Sequence, residues 1–181
     1  SEAQGNPGLL VLDRSVDEQS SSNNSSLNAR LLTNGLQAQV KRRGKTTWGS
    51  PKKRDVLFAG DQVRTRRAQG TRLQFSKDST LALAKATQII FRDALVVAPA
   101  SKVILYELVS GTLNVSLLKG EKENHEVKIG THLLLIEAGY READVELKRQ
   151  SANDAQVIVR LGRALSGDGR VVEAGQSLDL M

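Results

Sequence analysis

The chain has 181 residues, 39% of them hydrophobic and only 3% aromatic, with a formal net charge of +6. That is enough for one substantial domain with its own core of Leu, Val, Ile and Ala, and too little for two large ones. With no cysteine, disulfides, thiolate catalysis and Cys-ligated zinc or iron–sulfur centres are excluded. No apolar run approaches the roughly 18 residues a spanning helix needs, and no charged and then apolar leader opens at Ser1, although a removed leader or anchor stays open.

In chain order, residues 1–35 read as an arm. They hold Gly5-Asn6-Pro7-Gly8, the short apolar run Leu9-Leu10-Val11-Leu12, and a polar tract from Ser20 to Ser26 with nothing to bury. The run at Leu9 could add an edge strand. The folded region, 36–181, begins with the alternation Leu36, Ala38, Val40, passes a turn-rich segment around Trp48, and continues through Val56-Leu57-Phe58.

The most regular stretch runs from Ala59 to Phe91. Apolar residues fall in pairs two apart, Leu73 with Phe75, Leu81 with Leu83, Ile89 with Phe91, and successive pairs step by eight residues. Period two means extended chain, because side chains alternate across a strand. A fixed step interrupted by turn formers at Lys77-Asp78-Ser79 predicts short strands laid side by side.

Downstream, Val103 to Leu108 and Leu113 to Leu117 flank Ser110-Gly111, which predicts a hairpin or a corner with glycine at positive φ. Gly120 to Asn124 reads as a charged turn containing the approach to His125. The run His132-Leu133-Leu134-Leu135-Ile136 predicts a central strand covered on both faces. Val145-Glu146-Leu147 and Val157-Ile158-Val159 read as strands joined by a long polar loop over Lys148 to Asp154. The Ser166-Gly167-Asp168-Gly169 turn leads to Val171-Val172 and Leu178-Asp179-Leu180. Helix is minor, one short piece at most near 94–100, against which Pro99 argues. The prediction is an all-β single domain of many short strands: the equal steps favour parallel or meandering rungs, while a β-sandwich, a barrel and a β-solenoid or β-helix all stay open on periodicity alone.

Several of these segments resemble landmarks of the FecR-type domain. They are Gly60-Asp61-Gln62-Val63-Arg64-Thr65 with the strands through Phe75 and Leu81-Ala82-Leu83, then Leu108-Val109-Ser110-Gly111-Thr112-Leu113-Asn114-Val115, Val127-Lys128-Ile129-Gly130-Thr131, and Glu173-Ala174-Gly175-Gln176-Ser177-Leu178. They occur in the family's order over roughly residues 36 to 180. The resemblance implies a β-solenoid-like fold in an extracytoplasmic, periplasmic domain of the bacterial envelope that receives a signal from a protein partner. Since the anti-sigma helices and transmembrane segment of such regulators have no counterpart in these residues, it implies a stand-alone protein-binding, signal-sensing or scaffolding role. The chain departs from the pattern at Lys77-Asp78-Ser79, where Asp-Gly is usual, and at Gly130-Thr131-His132-Leu133, where an aromatic strand is usual.

For chemistry, the conspicuous feature is charge. Lys41, Arg42, Arg43, Lys45, Lys52, Lys53, Arg54, Arg64, Arg66, Arg67 and Arg72 face only Asp55 and Asp61 in the same stretch, an excess larger than that of the whole chain. Such a cluster suits an anionic polymer, a lipid headgroup or an acidic protein surface. It equally suits strand edges and loop tips kept from edge-to-edge pairing by Lys and Arg. With only Trp48 and Phe58 nearby, base stacking is poorly provided for. His125 and His132 lack carboxylates at ligand spacing, so Glu123 and Glu126 beside His125 read as solvated charge, and His132 as a structural hydrogen-bonder. No metal site, no cofactor site, no catalytic elbow and no phosphate-cradling loop is read from the chain. The expectation is therefore a non-enzymatic module, contacting a protein partner in the envelope or, alternatively, a polyanion through the Lys41–Arg72 cluster, with exposed strand edges and the arm as further contacts.

Overall fold

A computed structural model describes residues 29–32, 38–76, 79–98, 101–118, 123–137 and 142–180. The run at Leu9, Leu36 and the turn residues Lys77 and Asp78 lie outside the described residues. Fifteen strands follow one another: β1 (Ala29–Leu31), β2 (Ala38–Lys41), β3 (Val56–Leu57), β4 (Gln62–Thr65), β5 (Thr71–Ser76), β6 (Ser79–Leu83), β7 (Gln88–Ala98), β8 (Ser101–Leu117), β9 (Glu123–Ile129), β10 (His132–Glu137), β11 (Ala143–Ser151), β12 (Asp154–Leu161), β13 (Arg163–Ser166), β14 (Val171–Glu173) and β15 (Ser177–Asp179). The fold is all-β, with no helix among the described residues.

The strands form one connected, open sheet made of two ladders that share β8. The first runs β3-β1-β5-β6-β8-β11-β12-β15 and the second β2-β4-β7-β8-β9-β10-β13-β14. β8 pairs with β7 between Ser101 and Ser110 and with β9 from Lys102 to Glu107; beyond that it pairs with β11 from Gly111 to Leu117 and with β6 from Leu113 to Leu117. The β8–β9 pairing is parallel and every other one is antiparallel. Ser110-Gly111 is thus no hairpin but a corner inside one long strand. Gly111 sits at φ +97°, and a Cβ there would lie 2.4 Å from Thr87 Oγ1 and 2.6 Å from Thr87 Cα, so only glycine lets the chain change ladders at this point.

The eight-residue steps have a concrete meaning. β5 and β6 pair antiparallel with Leu73 opposite Leu81, and Leu73, Leu81, Leu83, Ile89 and Phe91 are all buried. The third pair leaves that ladder, because β7 pairs with β4 and β8. Inward side chains from both ladders make a single apolar cluster, and they meet across the gap: the Phe75 ring on β5 is 5.9 Å from Phe91, 6.0 Å from Tyr106 and 5.1 Å from His125. Burying such side chains is worth about 1.5–3 kcal/mol each and supplies the driving force for bringing the ladders together.

Three expectations are corrected here. β10 is not covered on both faces: Leu134 and Ile136 are buried while Leu133 is 44% exposed, because successive side chains point to opposite faces of a strand and only one face meets the apolar cluster. The polar stretch 148–154 is mostly strand, leaving Ala152-Asn153 as a two-residue turn; ladder hydrogen bonds join backbones whatever the side chains, so polarity alone did not mark a loop. Residues 94–98 belong to β7, not to a helix.

Candidate interaction surface

The turn preceding β4 organises the cationic region. Asp61 is 3% exposed, and its Oδ1 accepts the Arg43 backbone N–H at 2.9 Å while Oδ2 accepts the Phe58 N–H at 2.9 Å and the Arg42 guanidinium at 3.0 Å. Arg42 also donates to Asp55 Oδ2 at 2.9 Å and to the Val56 carbonyl at 2.8 Å. One carboxylate therefore ties the ends of the 42–58 segment to β4, and so links the β3 edge of the first ladder to the β2 edge of the second. Charge-assisted bonds of this kind are roughly twice as strong as neutral ones.

Over the outer side of β2 and β4 lies Trp48. Gly49 forms a two-bond bridge to Val40 that folds the indole back, where the Arg64 guanidinium carbon stands 4.1 Å and Lys41 Nζ 5.5 Å from the ring centroid. Arg64 Nε is meanwhile fixed by Gln39 Oε1 at 2.8 Å. Stacking cations on a half-exposed indole contributes on the order of 0.5–1 kcal/mol and holds two positive charges outward.

At the far end of β4, Thr65 Oγ1 donates to the Ala84 carbonyl at 2.6 Å and accepts the Thr87 N–H at 2.8 Å. Thr87 Oγ1 accepts the Thr112 N–H at 3.0 Å. Asp61 and Thr65, at the two ends of the Gly60–Thr65 landmark, are thus hydrogen-bond hubs, and Thr87 wires Thr65 to the Gly111-Thr112 corner.

The eleven cations are not one patch. Lys41, Arg42, Arg43, Lys45, Lys52, Lys53 and Arg54 share the segment tied by Asp61, and Arg64 joins them over Trp48. Arg66 and Arg67 are exposed beyond the other end of β4, and Arg72 points outward from β5 on the first ladder, opposite Ala82. Among the described residues, Arg42 alone of the eleven forms an ion pair. Arg43, Lys45, Lys52, Lys53 and Arg54 are exposed.

A second polar cluster escaped the sequence reading. His125 is not in a charged turn but inside β9 and 0% exposed. Its Nε2 is 2.7 Å from Ser79 Oγ and its Nδ1 2.8 Å from the Tyr106 hydroxyl, so one hydroxyl donates to the ring and the other accepts from it, according to tautomer. Burial lowers the His125 pKa to about 3 and raises that of Tyr106. A serine beside a histidine suggests nucleophilic catalysis, but Ser79, Tyr106 and His125 are each at most 1% exposed, as a structural hydrogen-bond cluster of the core would be. The signal was available: Ser79 is in phase with Leu81 and Leu83, and His125 with Val127 and Ile129, so extending each alternation places both inside. His132 is half-buried at the start of β10. Among the described residues no group of His, Asp and Glu could hold a metal ion, and no helix is long and apolar enough to cross a membrane.

No family model matches the chain, and no curated protein or solved structure matches it significantly.

Proposed function

We propose that this chain is a non-enzymatic interaction module of the extracytoplasmic, FecR-like kind, presenting the cationic 41–54 segment and Arg64 to an acidic surface on a protein partner in the bacterial envelope. The observation that carries the reading is the pairing of rigidity with unspent charge. Asp61 neutralises Arg42 and pins the segment, whereas Arg43, Lys45, Lys52, Lys53 and Arg54 stand exposed without a described carboxylate in ion-pair range. Charges held in place steer and orient a partner with less ordering cost than charges on a loose loop. The role is signal reception or scaffolding.

The finer fold reading goes with it: the ladders face each other as a sandwich, and β8 crosses from one to the other. Ring contacts between β5 and the strands β7, β8 and β9, and a single parallel pairing, support a sandwich over stacked parallel rungs.

A second reading places an anionic polymer on the same surface. It is favoured by the number of exposed cations, and it calls for affinity that falls steeply with salt as counterions are released.

Capture from envelope extract at low and physiological salt tests both, with heparin as the polyanion probe and the charge-reversed variant Lys52→Glu/Lys53→Glu/Arg54→Glu as control. A discrete protein retained at physiological salt by the wild type, and lost with charge reversal, supports the first reading. Heparin binding alone, lost as salt rises, supports the second. Partner and heparin binding that charge reversal leaves unchanged defeats both.

A further inference from the structure

The outer side of the second ladder carries an apolar row that no function assigned above uses. Register places Leu105, Glu126, Leu135, Leu165 and Val171 side by side across β8, β9, β10, β13 and β14. Leu133 lies beside the row at 44% exposure and Val171 ends it at 45%. Leu135, Leu165 and Val171 follow one another without interruption across β10, β13 and β14, and large exposed apolar patches mark interaction sites.

Charge says which partner fits. Two residues along from Leu135 and Leu165, Glu137 and Arg163 are opposite one another and form an ion pair at 3.1 Å. A two-fold axis parallel to the strands, between β10 and β13, lays Leu135 of one copy on Leu165 of the other. The same operation lays Glu137 on Arg163 of the second copy and Arg163 on its Glu137, closing an alternating ring of four charges. A self-complementary patch is what an isologous interface requires.

We propose that the outer face of β10, β13 and β14 is the contact surface of a two-fold homodimer of this chain, built on Leu135, Leu165 and Val171 and aligned by Glu137 and Arg163. Because β2 and β14 are opposite edges of the ladder, the dimer leaves both cationic segments free and presents two of them to a partner, which raises avidity without new contacts. Glu126 opposes the interface. It lies next to Leu105 and Leu135, the nearest charges flanking these are Glu107 and Glu137 on the neighbouring strands and Lys128 on its own, and the two-fold sets it against Val171 of the second copy.

Sedimentation equilibrium of the full chain over a wide concentration range tests this. The expected result is a reversible monomer–dimer equilibrium. Leu135→Lys, on an outward position, abolishes the dimer with an unchanged circular dichroism spectrum; Glu137→Arg weakens it by about tenfold or more; Glu137→Arg with Arg163→Glu restores it; Glu126→Gln tightens it. A wild type that stays monomeric throughout overturns the proposal, as does a dimer indifferent to Leu135→Lys or a charge swap that restores nothing.

Discussion

Ser79 and His125, on β6 of one ladder and β9 of the other, are joined by a 2.7 Å hydrogen bond across the core. With Tyr106 holding the second ring nitrogen, the bond latches the two ladders at a point where an apolar contact would have no direction. Unlike the surrounding leucines, it fixes their relative register.

That latch makes stability depend on pH. The His125 pKa is lowered by burial from 6.5 to about 3, so the unfolded chain takes up a proton that the folded chain refuses. Its contribution is complete above the unfolded value and is lost as pH falls from about 6.5 towards 3, by several kcal/mol in all. Urea denaturation at stepped pH is expected to show this loss, and a His125→Phe variant a flatter profile on a lower plateau. A folded-state NMR signal assigned to the His125 imidazole, identified by its loss in His125→Phe, that titrates near pH 6.5 would contradict it.

Gly111→Ala should be among the most damaging small substitutions. It forces a side chain to φ +97° and into Thr87, so at least about 3 kcal/mol of stability is expected to go. The denaturant midpoint measures it, and a near-neutral result would mean that β8 does not turn at this residue.

Asp61→Ala removes acceptors from Arg42 and from the Arg43 and Phe58 amides together, a loss of about 2–4 kcal/mol. Its signature is local. Trypsin is expected to cut at Lys52, Lys53 and Arg54 far faster than in the wild type while the core strands resist, and uniform cleavage throughout the chain would count against an anchoring role.

The chain's single tryptophan reports on the cationic face. Arg64→Ala strips the 4.1 Å stack from Trp48 and should shift its emission to the red, with less than about 1 kcal/mol of stability lost. Heparin or an acidic partner bound at this face is expected to perturb the same emission in the wild type, and an unaltered spectrum at saturation would place the contact elsewhere.

Much of the fold was legible in local pattern. Alternation alone marks Leu73, Leu81, Leu83, Ile89 and Phe91 as inward, and a glycine between two apolar runs marks a positive-φ break at Gly111 without choosing hairpin or corner, because side-chain period and positive φ are properties of a few adjacent residues. Which strand lies beside which is not. Nothing near Ile89 distinguishes a third strand beside β6 from one that departs to join β4, since pairing is decided by backbone hydrogen bonds between segments far apart in sequence.

The surface divides in the same way. Composition determined that residues 41–72 carry an excess of positive charge. Only the tertiary structure decided that Arg42 is neutralised by Asp55 and Asp61, that Arg64 lies on Trp48, and that Arg72 points from the other ladder. It also turned His125 from a residue among acidic neighbours into the buried tie between two ladders: charge is a sum over residues, whereas burial and ion pairing depend on distances that exist only once distant strands have met.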